Sequence, residues 1–290
     1  MNKEKVHIEQ DWFDKNPWFE EKIIEANVNT AFFSSMRNEA LFGLVEIKNL
    51  ISKQDKCLDV GAGTCLLSMI LASNGVEIDA LEPKGTAYSD DWENILRLVE
   101  EQKLEKLTTI RERIETFSTI KKYDFIYSIN AFEHVSDWRK GLLKVYDMLE
   151  DNGTCLILVP NYHFPYESHL KLPIIINKKI TEAIFQKRIA KYELDNDYAN
   201  IWASLNFIKS RQVESFLTRN NISFSFDRSI FSRMLNRIKT DKEFQKRQKI
   251  VTPLVRIALA MRLDRIYSSL PIWLHPYMAL KITKKQNTSS

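Results

Sequence analysis

The sequence has few cysteines and no long apolar run, and each shortage excludes a class of protein. The three cysteines, Cys57, Cys65 and Cys155, are an odd number, and none stands in a CxxC pair. This excludes a disulfide framework and a cysteine-rich zinc module and is typical of a reducing compartment. The N-terminus is polar, and no stretch reaches the roughly 18 uninterrupted apolar residues of a membrane-spanning helix. We therefore expect a cytoplasmic protein without a secretion signal, either soluble or peripheral to a membrane.

Net charge is also small, because 42 Lys and Arg residues against 38 Asp and Glu residues give +4. An excess of this size does not indicate a nucleic-acid-binding protein. The charge is unevenly distributed, however, since residues 228–265 contain eleven basic and three acidic residues, a local excess of +8. Two interpretations stay open: a solvated helix face, or a patch that contacts an anionic surface.

Hydrophobic residues from 51 to 161 alternate between the periods of strands and helices. Strands separated by helices of about 10–15 residues form βαβ units. We therefore predict an α/β fold: a Rossmann-like, doubly wound, mostly parallel seven-stranded sheet with helical insertions near the C-terminus. The predicted strands are 56–60, 76–81, 108–110, 124–129, 154–159, 222–226 and 277–283.

The same patterns divide the chain into six segments around one α/β domain. We predict an N-terminal helical lead-in (1–50), a Rossmann-like core (51–161), an insertion that covers the substrate (162–204), a strand–helix–strand unit that completes the sheet (205–228), a basic helical insertion (229–272), and a last strand with a tail (273–290).

Two of only seven glycines, Gly61 and Gly63, end the first predicted strand, in LDVGAGTC at 58–65. Glycine here permits a tight turn and lets a ligand approach the backbone at the start of the next helix. Glu82 ends the second strand, 19 residues after Gly63, where a carboxylate can accept both hydroxyls of an unphosphorylated ribose. This arrangement predicts an adenosine-type cofactor. A nicotinamide dinucleotide is the less favoured alternative, because the third glycine of GxGxxG is replaced by Leu66.

Four motifs, in this order and spacing, resemble the class I S-adenosylmethionine-dependent methyltransferases, and most closely their small-molecule branch. They are LDVGAGTC, the acid in ALEP (80–83), YDFIYSINAFEHV (123–135) and LEDNGTCLILVPNY (149–162). A weaker likeness, of PNYHFPYESHLKLP (160–173), is to methyltransferases from bacterial surface-polysaccharide gene clusters. The resemblance implies an enzyme whose core binds S-adenosyl-L-methionine as its cofactor.

The resemblance also implies which residues hold this cofactor. The methionine part and the ribose would be surrounded by Asp59, Gly61, Ala62 and Gly63, and the ribose hydroxyls would be bound by Glu82, with Pro83 beside it. The adenine would be flanked by Ile114 and Glu115, and the methionine end would lie near Ser128 and Asn130. Arg113 stands where relatives commonly have an acid for the adenine amino group, so the residue that binds this amine is not assigned.

Methyl transfer to an alcohol or phenol benefits from a base, and histidine suits that task near neutral pH. His134 follows the fourth strand and His169 follows the fifth, so we predict both as catalytic residues at one sheet edge. A helix-capping or core role is an equal alternative for His134. We predict substrate contacts for Tyr162, His163, Tyr166 and Glu167. No metal is predicted, because no cluster of ligand residues shows metal-site spacing.

The insertions indicate the acceptor. Aromatic side chains after the fifth strand suit a sugar, phenol or quinone ring, and the basic, aromatic segment 228–273 suits peripheral contact with anionic lipid. Together with the polysaccharide likeness, they favour O-methylation of a glycan or lipid-linked small molecule on the cytoplasmic side of a membrane. Alternatives are an aromatic or quinone acceptor, and a non-catalytic S-adenosylmethionine-binding scaffold. No nucleic acid is expected, since no Asn-Pro-Pro-Tyr type motif for flipped bases is present.

Overall fold

In the part of the chain that the structure describes, nine strands form a large sheet and a small hairpin. The computed structural model describes residues 12–83, 90–195, 200–237, 255–256 and 259–286. The strands are β1 (Lys56–Val60), β2 (Glu77–Leu81), β3 (Leu107–Ile110), β4 (Tyr123–Ile129), β5 (Leu149–Pro160), β6 (Tyr166–Glu167), β7 (Leu172–Pro173), β8 (Phe224–Phe226) and β9 (Tyr277–Thr283).

The large sheet has seven strands in the order β3-β2-β1-β4-β5-β9-β8. Strands β1 to β5 pair in parallel, whereas β9 runs antiparallel between β5 and β8. The separate hairpin pairs β6 with β7. The predicted α/β, mostly parallel, seven-stranded fold is confirmed.

Helices connect the strands and cover both faces of the sheet. They are α1 (Trp12–Lys15), α2 (Pro17–Glu25), α3 (Thr30–Ile47), α4 (Leu66–Ser73), α5 (Asp90–Glu101), α6 (Trp138–Met148), α7 (Lys178–Asp195), α8 (Ile201–Ser204), α9 (Ser210–Arg219), α10 (Ile230–Asn236) and α11 (Leu263–Ser268), with short 3-10 turns at Phe132–His134 and Ile272–Leu274. Most of the predicted basic insertion, at 238–254 and 257–258, lies outside the described residues.

Capping residues fix where two of these helices begin. The Asn29 side chain accepts hydrogen bonds from the N–H groups of Ala31 and Phe32, at the start of α3. Asp137 likewise accepts from the Lys140 N–H at the start of α6. These bonds satisfy donors that a helix leaves unpaired in its first turn. Helix α6 therefore begins at Trp138, directly after its Asp137 cap.

The hydrophobic core has two layers, one on each face of the sheet. One layer packs Leu44, Met69 and Ile95 of α3, α4 and α5 against one set of strand side chains. The other packs Leu142 of α6 and Val213 of α9 against the opposite set. Alternate strand residues point to opposite faces, which explains why β5, buried on both faces at residues 155–159, is apolar throughout that stretch. The carboxyl ends of β1, β2, β4 and β5 consequently share one edge, where the predicted site residues lie.

Among the described ranges, none of the helices is both long enough and apolar enough to cross a membrane.

Candidate functional site

The loop after β1 has the backbone geometry that only glycine adopts readily. Gly61 and Gly63 have φ angles of +74° and +60°, in the left-handed region. The N–H groups of Gly61 and Ala62 donate to the Leu81 carbonyl at 2.8 and 3.1 Å, which ties the loop to the end of β2. A Cβ atom on Gly61 would lie 2.2 Å from the Cβ of Ala131, so the chain after β4 packs directly on this glycine.

Glu82 joins the second motif to this loop. Its side chain is almost fully buried, and Oε2 accepts a hydrogen bond of 2.8 Å from the Gly63 N–H. A carboxylate has about four lone-pair sites, so a bond to the Gly63 N–H is compatible with ribose hydroxyls as additional donors. Pro83 follows, half-buried, beside residues 84–89, which lie outside the described ranges.

Asp59 points into the protein below the loop. The Ser68 hydroxyl donates to its Oδ2 at 2.6 Å and lies 3.3 Å from the Tyr127 hydroxyl. Burial raises the pKa of Asp59 to about 7, although the hydrogen bonds from Ser68 and Tyr127 act in the opposite direction. Asp59 thus holds α4 against the end of β1, and its predicted contact with the cofactor stays a prediction.

The end of β4 is linked to distant segments. Asn130 has φ +51°, donates from Nδ2 to Glu39 Oε1 at 2.8 Å, and accepts from the Tyr277 hydroxyl. Ser128 is buried, and its hydroxyl has no hydrogen-bond partner among the described residues. Sequence reasoning missed Glu39 and Tyr277, because their partner is 91 and 147 residues away.

The predicted adenine-flanking pair has two different environments. Ile114 is buried in the core layer that also contains Val60 and Leu81, the last residues of β1 and β2. Glu115 accepts a hydrogen bond of 3.3 Å from the Asp137 N–H and so braces the start of α6. Arg113 is exposed. Only Ile114 therefore packs directly beneath the strand ends that carry the glycine loop.

The two predicted catalytic histidines lie together, with ring centroids 5.6 Å apart. His134 Nδ1 is 2.7 Å from the Ser204 hydroxyl, which itself donates to the Ile201 carbonyl at 2.7 Å. Because the Ser204 proton is used in that bond, Ser204 accepts from the His134 Nδ1–H. The lone pair of His134 is then on Nε2.

Glu167 orients the second histidine. Its Oε1 lies 2.6 Å from His169 Nδ1 and also accepts from the His169 N–H, while Oε2 accepts from the Leu170 N–H at 2.7 Å. His169 Nε2 consequently faces Glu133, at 3.7 Å from its Oε1. We predicted Glu167 as a substrate contact; its carboxylate is fully buried and its partners are these protein groups and the Tyr162 hydroxyl. Glu167 therefore positions His169 in this structure, and its predicted contact with substrate stays a prediction.

Electrostatics in this cluster favour a neutral His134. Burial lowers the pKa of His134 to about 4, and the nearby His169 acts in the same direction. Burial raises the pKa of Glu133 to about 7. Burial alone would lower the pKa of His169, but its hydrogen bond to Glu167 and the charges of Glu167, Glu133 and Glu39 raise it overall.

Beside the cluster lies a cavity of about 350 Å³. Tyr162 lines it, stacked on Phe207 at 4.4 Å between centroids, and donates its hydroxyl to Glu167. The wall also contains Trp138, Asn206 and three cations, Arg139, Lys178 and Lys209. The sequence did not indicate these cations, because they belong to three separate helical regions.

The other two predicted substrate residues are not among those that line the cavity. His163 Nδ1 is 3.1 Å from the Ser210 hydroxyl, which fastens the chain after β5 to the start of α9. Tyr166 is 40% exposed in the β6–β7 hairpin. Neither lines the cavity, so their contact with substrate remains a prediction for an acceptor that extends beyond it.

The structure brings a group of potential metal ligands together. Ligand atoms of Glu133, His134 and His169 lie within 4.8 Å of one another. His169 is 35 residues from His134 in the chain, so spacing along the sequence could not reveal the group. The carboxylate of Glu133 is completely enclosed. The prediction that the protein holds no metal stays a prediction.

The chain is similar to a known protein family and to several known proteins. A family model described as a methyltransferase domain matches residues 32–221. An uncharacterized protein of Mycobacterium tuberculosis is 31% identical over 230 residues, which cover 79% of this chain and 78% of that protein. A ubiquinone biosynthesis O-methyltransferase of Rickettsia typhi is 25% identical over 174 residues, 60% of this chain and 62% of that one.

A solved structure has the same fold. Phosphoethanolamine N-methyltransferase 2 of Haemonchus contortus, in complex with S-adenosyl-L-methionine, superposes with a TM-score of 0.51 and 16% identity. The match covers 86% of this chain but 53% of that chain, so this chain spans about half its length.

Proposed function

Since this chain belongs to the methyltransferase-domain family and is an S-adenosylmethionine-dependent methyltransferase, we propose that it O-methylates a glycan or a lipid-linked small molecule. The observation that carries this proposal is the position of His134. Its Nδ1–H is held by Ser204, its Nε2 lone pair is available, and it lies five residues after Ile129, the last residue of β4. The glycine loop at 61–63, which follows β1, lies at the same edge of the sheet.

The residues present fit the cofactor. When bound, S-adenosylmethionine supplies an electrophilic methyl group on a sulfonium. The glycines at 61 and 63 carry no Cβ that would keep a ligand from their backbone, and Glu82, bonded to the Gly63 N–H, is a carboxylate of the kind that accepts ribose hydroxyls. The unpartnered hydroxyl of Ser128 is a polar group that the cofactor's methionine end could satisfy.

The cavity beside the cluster fits the acceptor. Its aromatic wall, Trp138, Tyr162 and Phe207, offers ring faces for a sugar or another flat molecule. Lys178 and Lys209 add positive charge, which suits the phosphate of a nucleotide- or lipid-linked glycan. The Tyr162 hydroxyl, through Glu167, connects this wall to His169.

The protein's contribution to the reaction is alignment and proton removal. Bound S-adenosylmethionine would supply the methyl group for the acceptor oxygen, and the proton of the acceptor hydroxyl passes to the histidine cluster. His134 Nε2 is the atom that receives it, with Ser204 fixing the ring. Glu167 holds the His169 ring against Glu133, which restricts the rotation of this ring beside His134.

A turnover assay tests this proposal. The purified chain, S-adenosylmethionine and either undecaprenyl-phosphate-linked glycans or nucleotide sugars are expected to release S-adenosylhomocysteine and a methylated product. His134→Ala is expected to lower turnover by about 10²–10⁴-fold and to leave S-adenosylhomocysteine affinity within about twofold. Cofactor binding without turnover on any acceptor would favour the scaffold function instead. Equal turnover of wild type and His134→Ala would refute the assigned base.

An aromatic or quinone-type acceptor is the second candidate. The observation that favours it is the similarity to a ubiquinone biosynthesis O-methyltransferase, together with the Tyr162–Phe207 stack. Supplying a polyprenylated catechol in the same assay separates the two. A higher kcat/KM for the catechol than for every glycan would replace the first proposal by the second.

We also propose peripheral membrane contact on the cytoplasmic side through residues 228–273. In its described part, Ile266 is 62% exposed and Trp273 is 36% exposed, with the Arg211 guanidinium 4.6 Å from the Trp273 ring. Apolar and aromatic side chains beside basic ones are typical of interfacial segments. Cosedimentation with vesicles of increasing anionic lipid content should show binding that salt weakens. No binding at any composition would remove this part.

A further inference from the structure

We propose that Glu133, His134 and His169 bind one divalent transition-metal ion of the zinc class. Their ligand atoms lie within 4.8 Å of one another. Two imidazoles and one carboxylate, with positions left open for water or substrate, are a donor set suited to Zn²⁺ and its neighbours.

Both imidazoles have the tautomer that a metal needs. The His134 Nδ1–H is engaged by Ser204, and the His169 Nδ1–H is engaged by Glu167. Each ring is therefore fixed by its δ nitrogen and offers the lone pair of its ε nitrogen. A metal-bound histidine almost always donates its other N–H to a carboxylate or another acceptor in this way.

Glu133 supplies the independent observation. Its side chain is 0% exposed, and neither carboxylate oxygen has a hydrogen-bond partner in another described residue. A buried carboxylate without a hydrogen bond is costly, and a bound cation would satisfy both oxygens. Oε1 already lies 3.7 Å from His169 Nε2, and this nitrogen would give up any proton when it binds a metal.

The geometry needs a small contraction. Ligand atoms about 2.1 Å from a tetrahedral ion lie about 3.4 Å apart, against the 4.8 Å limit here. Side-chain rotations at His134 and Glu133 would bring the ligand atoms to this separation. The Asn130 side chain, three residues before Glu133, is bonded to Glu39 and Tyr277, which holds the β4 end in place during the adjustment.

The role of the ion, but not its binding, rests on the proposed function. An ion here would acidify an acceptor hydroxyl as a Lewis acid, with His134 as a ligand; without the ion, His134 takes the proton itself. Failure of metal binding would therefore leave the methyltransferase proposal unchanged, and failure of O-methylation would leave the metal site unchanged.

Metal titration of the full chain tests the site. After treatment with a chelator and its removal by dialysis, the wild type is titrated with Zn²⁺ by calorimetry and with Co²⁺ by visible absorption. One ion per chain is expected. Glu133→Gln and His169→Asn should each weaken Zn²⁺ binding at least tenfold, and Glu167→Gln by about 10–100-fold. His163→Asn, an imidazole bonded to Ser210 outside the cluster, is the matched control and should keep wild-type affinity.

Three results would overturn the proposal: no stoichiometric binding to the wild type, equal affinity in Glu133→Gln and His169→Asn, or a thiolate absorption band that assigns Co²⁺ to a cysteine. Thermal unfolding of each metal-free variant identifies any that does not fold. If Glu133→Gln fails to fold, the Zn²⁺ affinities of His169→Asn and Glu167→Gln decide the result.

Discussion

Replacing Gly61 by alanine tests the glycine loop, because this single methyl group meets the chain after β4. The new Cβ would lie 2.2 Å from the Cβ of Ala131, far inside van der Waals contact. Gly61 also has φ +74°, which an alanine adopts only with strain. Since Ala131 is three residues before His134, relief of the overlap moves the segment that carries the site.

The magnitude has two parts. Left-handed backbone in alanine costs about 1–2 kcal/mol, and the overlap, once relieved by backbone movement, adds about 1–3 kcal/mol. We therefore expect Gly61→Ala to lower the free energy of unfolding by about 2–5 kcal/mol. The displaced loop should also bind S-adenosylhomocysteine at least about tenfold more weakly, which corresponds to about 1.4 kcal/mol.

Gly75 is the matched control. It too has positive φ, +90°, but a Cβ there would have no atom within 4 Å. Gly75→Ala therefore carries the backbone cost without the overlap. Urea denaturation of the three proteins gives the free energies of unfolding, and calorimetry gives the affinities for S-adenosylhomocysteine.

The expected result is a Gly61→Ala variant less stable than Gly75→Ala, with weakened cofactor binding in the first and wild-type binding in the second. Equal stability of the two variants would show that Ala131 does not press on the loop. Wild-type affinity in Gly61→Ala would refute the assignment of the loop to the cofactor.

Three further predictions concern single side chains. Glu82→Gln keeps an acceptor for the Gly63 N–H but loses the charge, so calorimetry should show S-adenosylhomocysteine affinity about tenfold lower; unchanged affinity would exclude Glu82 from the ribose site. The pKa of Asp59 is raised to about 7 from 3.8, so between about pH 4 and pH 7 the native state holds a proton that the unfolded chain lacks. The contribution of Asp59 to the free energy of unfolding therefore falls as pH rises through that window. Asp59→Asn should flatten this decline in urea denaturation at several pH values, and an unaltered slope would contradict the prediction. Tyr277→Phe removes the donor to Asn130 and should cost about 1 kcal/mol of unfolding free energy, whereas no change would show that this bond contributes nothing.

The sheet could be predicted because its signals are local. The apolar run of β5 and the glycines after β1 each report on a few neighbouring residues, and β9 was predicted with its observed bounds, 277–283. Strand β5 was predicted from 154 but begins at Leu149. The residues before 154 were not predicted because this polar, irregular stretch has no alternating pattern. The backbone is also close-packed there, since a Cβ on Gly153 would lie 2.8 Å from the Glu150 carbonyl oxygen.

The histidine cluster could be predicted only in part, because it is a product of tertiary structure. The sequence placed His134 and His169 at one edge by the rule that parallel strands end together. Nothing local indicated that Ser204 and Glu167 would fix their tautomers, or that Glu133 would be enclosed with them. Those contacts depend on how α8 and the β6–β7 hairpin fold over the edge.

The most direct test of the central claim is a crystal structure of the chain with S-adenosylhomocysteine. We expect the adenosine against the loop at 61–63, with both ribose hydroxyls donating to the Glu82 carboxylate. Ligand bound elsewhere, or at the loop with Glu82 making no contact to the ribose, would contradict the account.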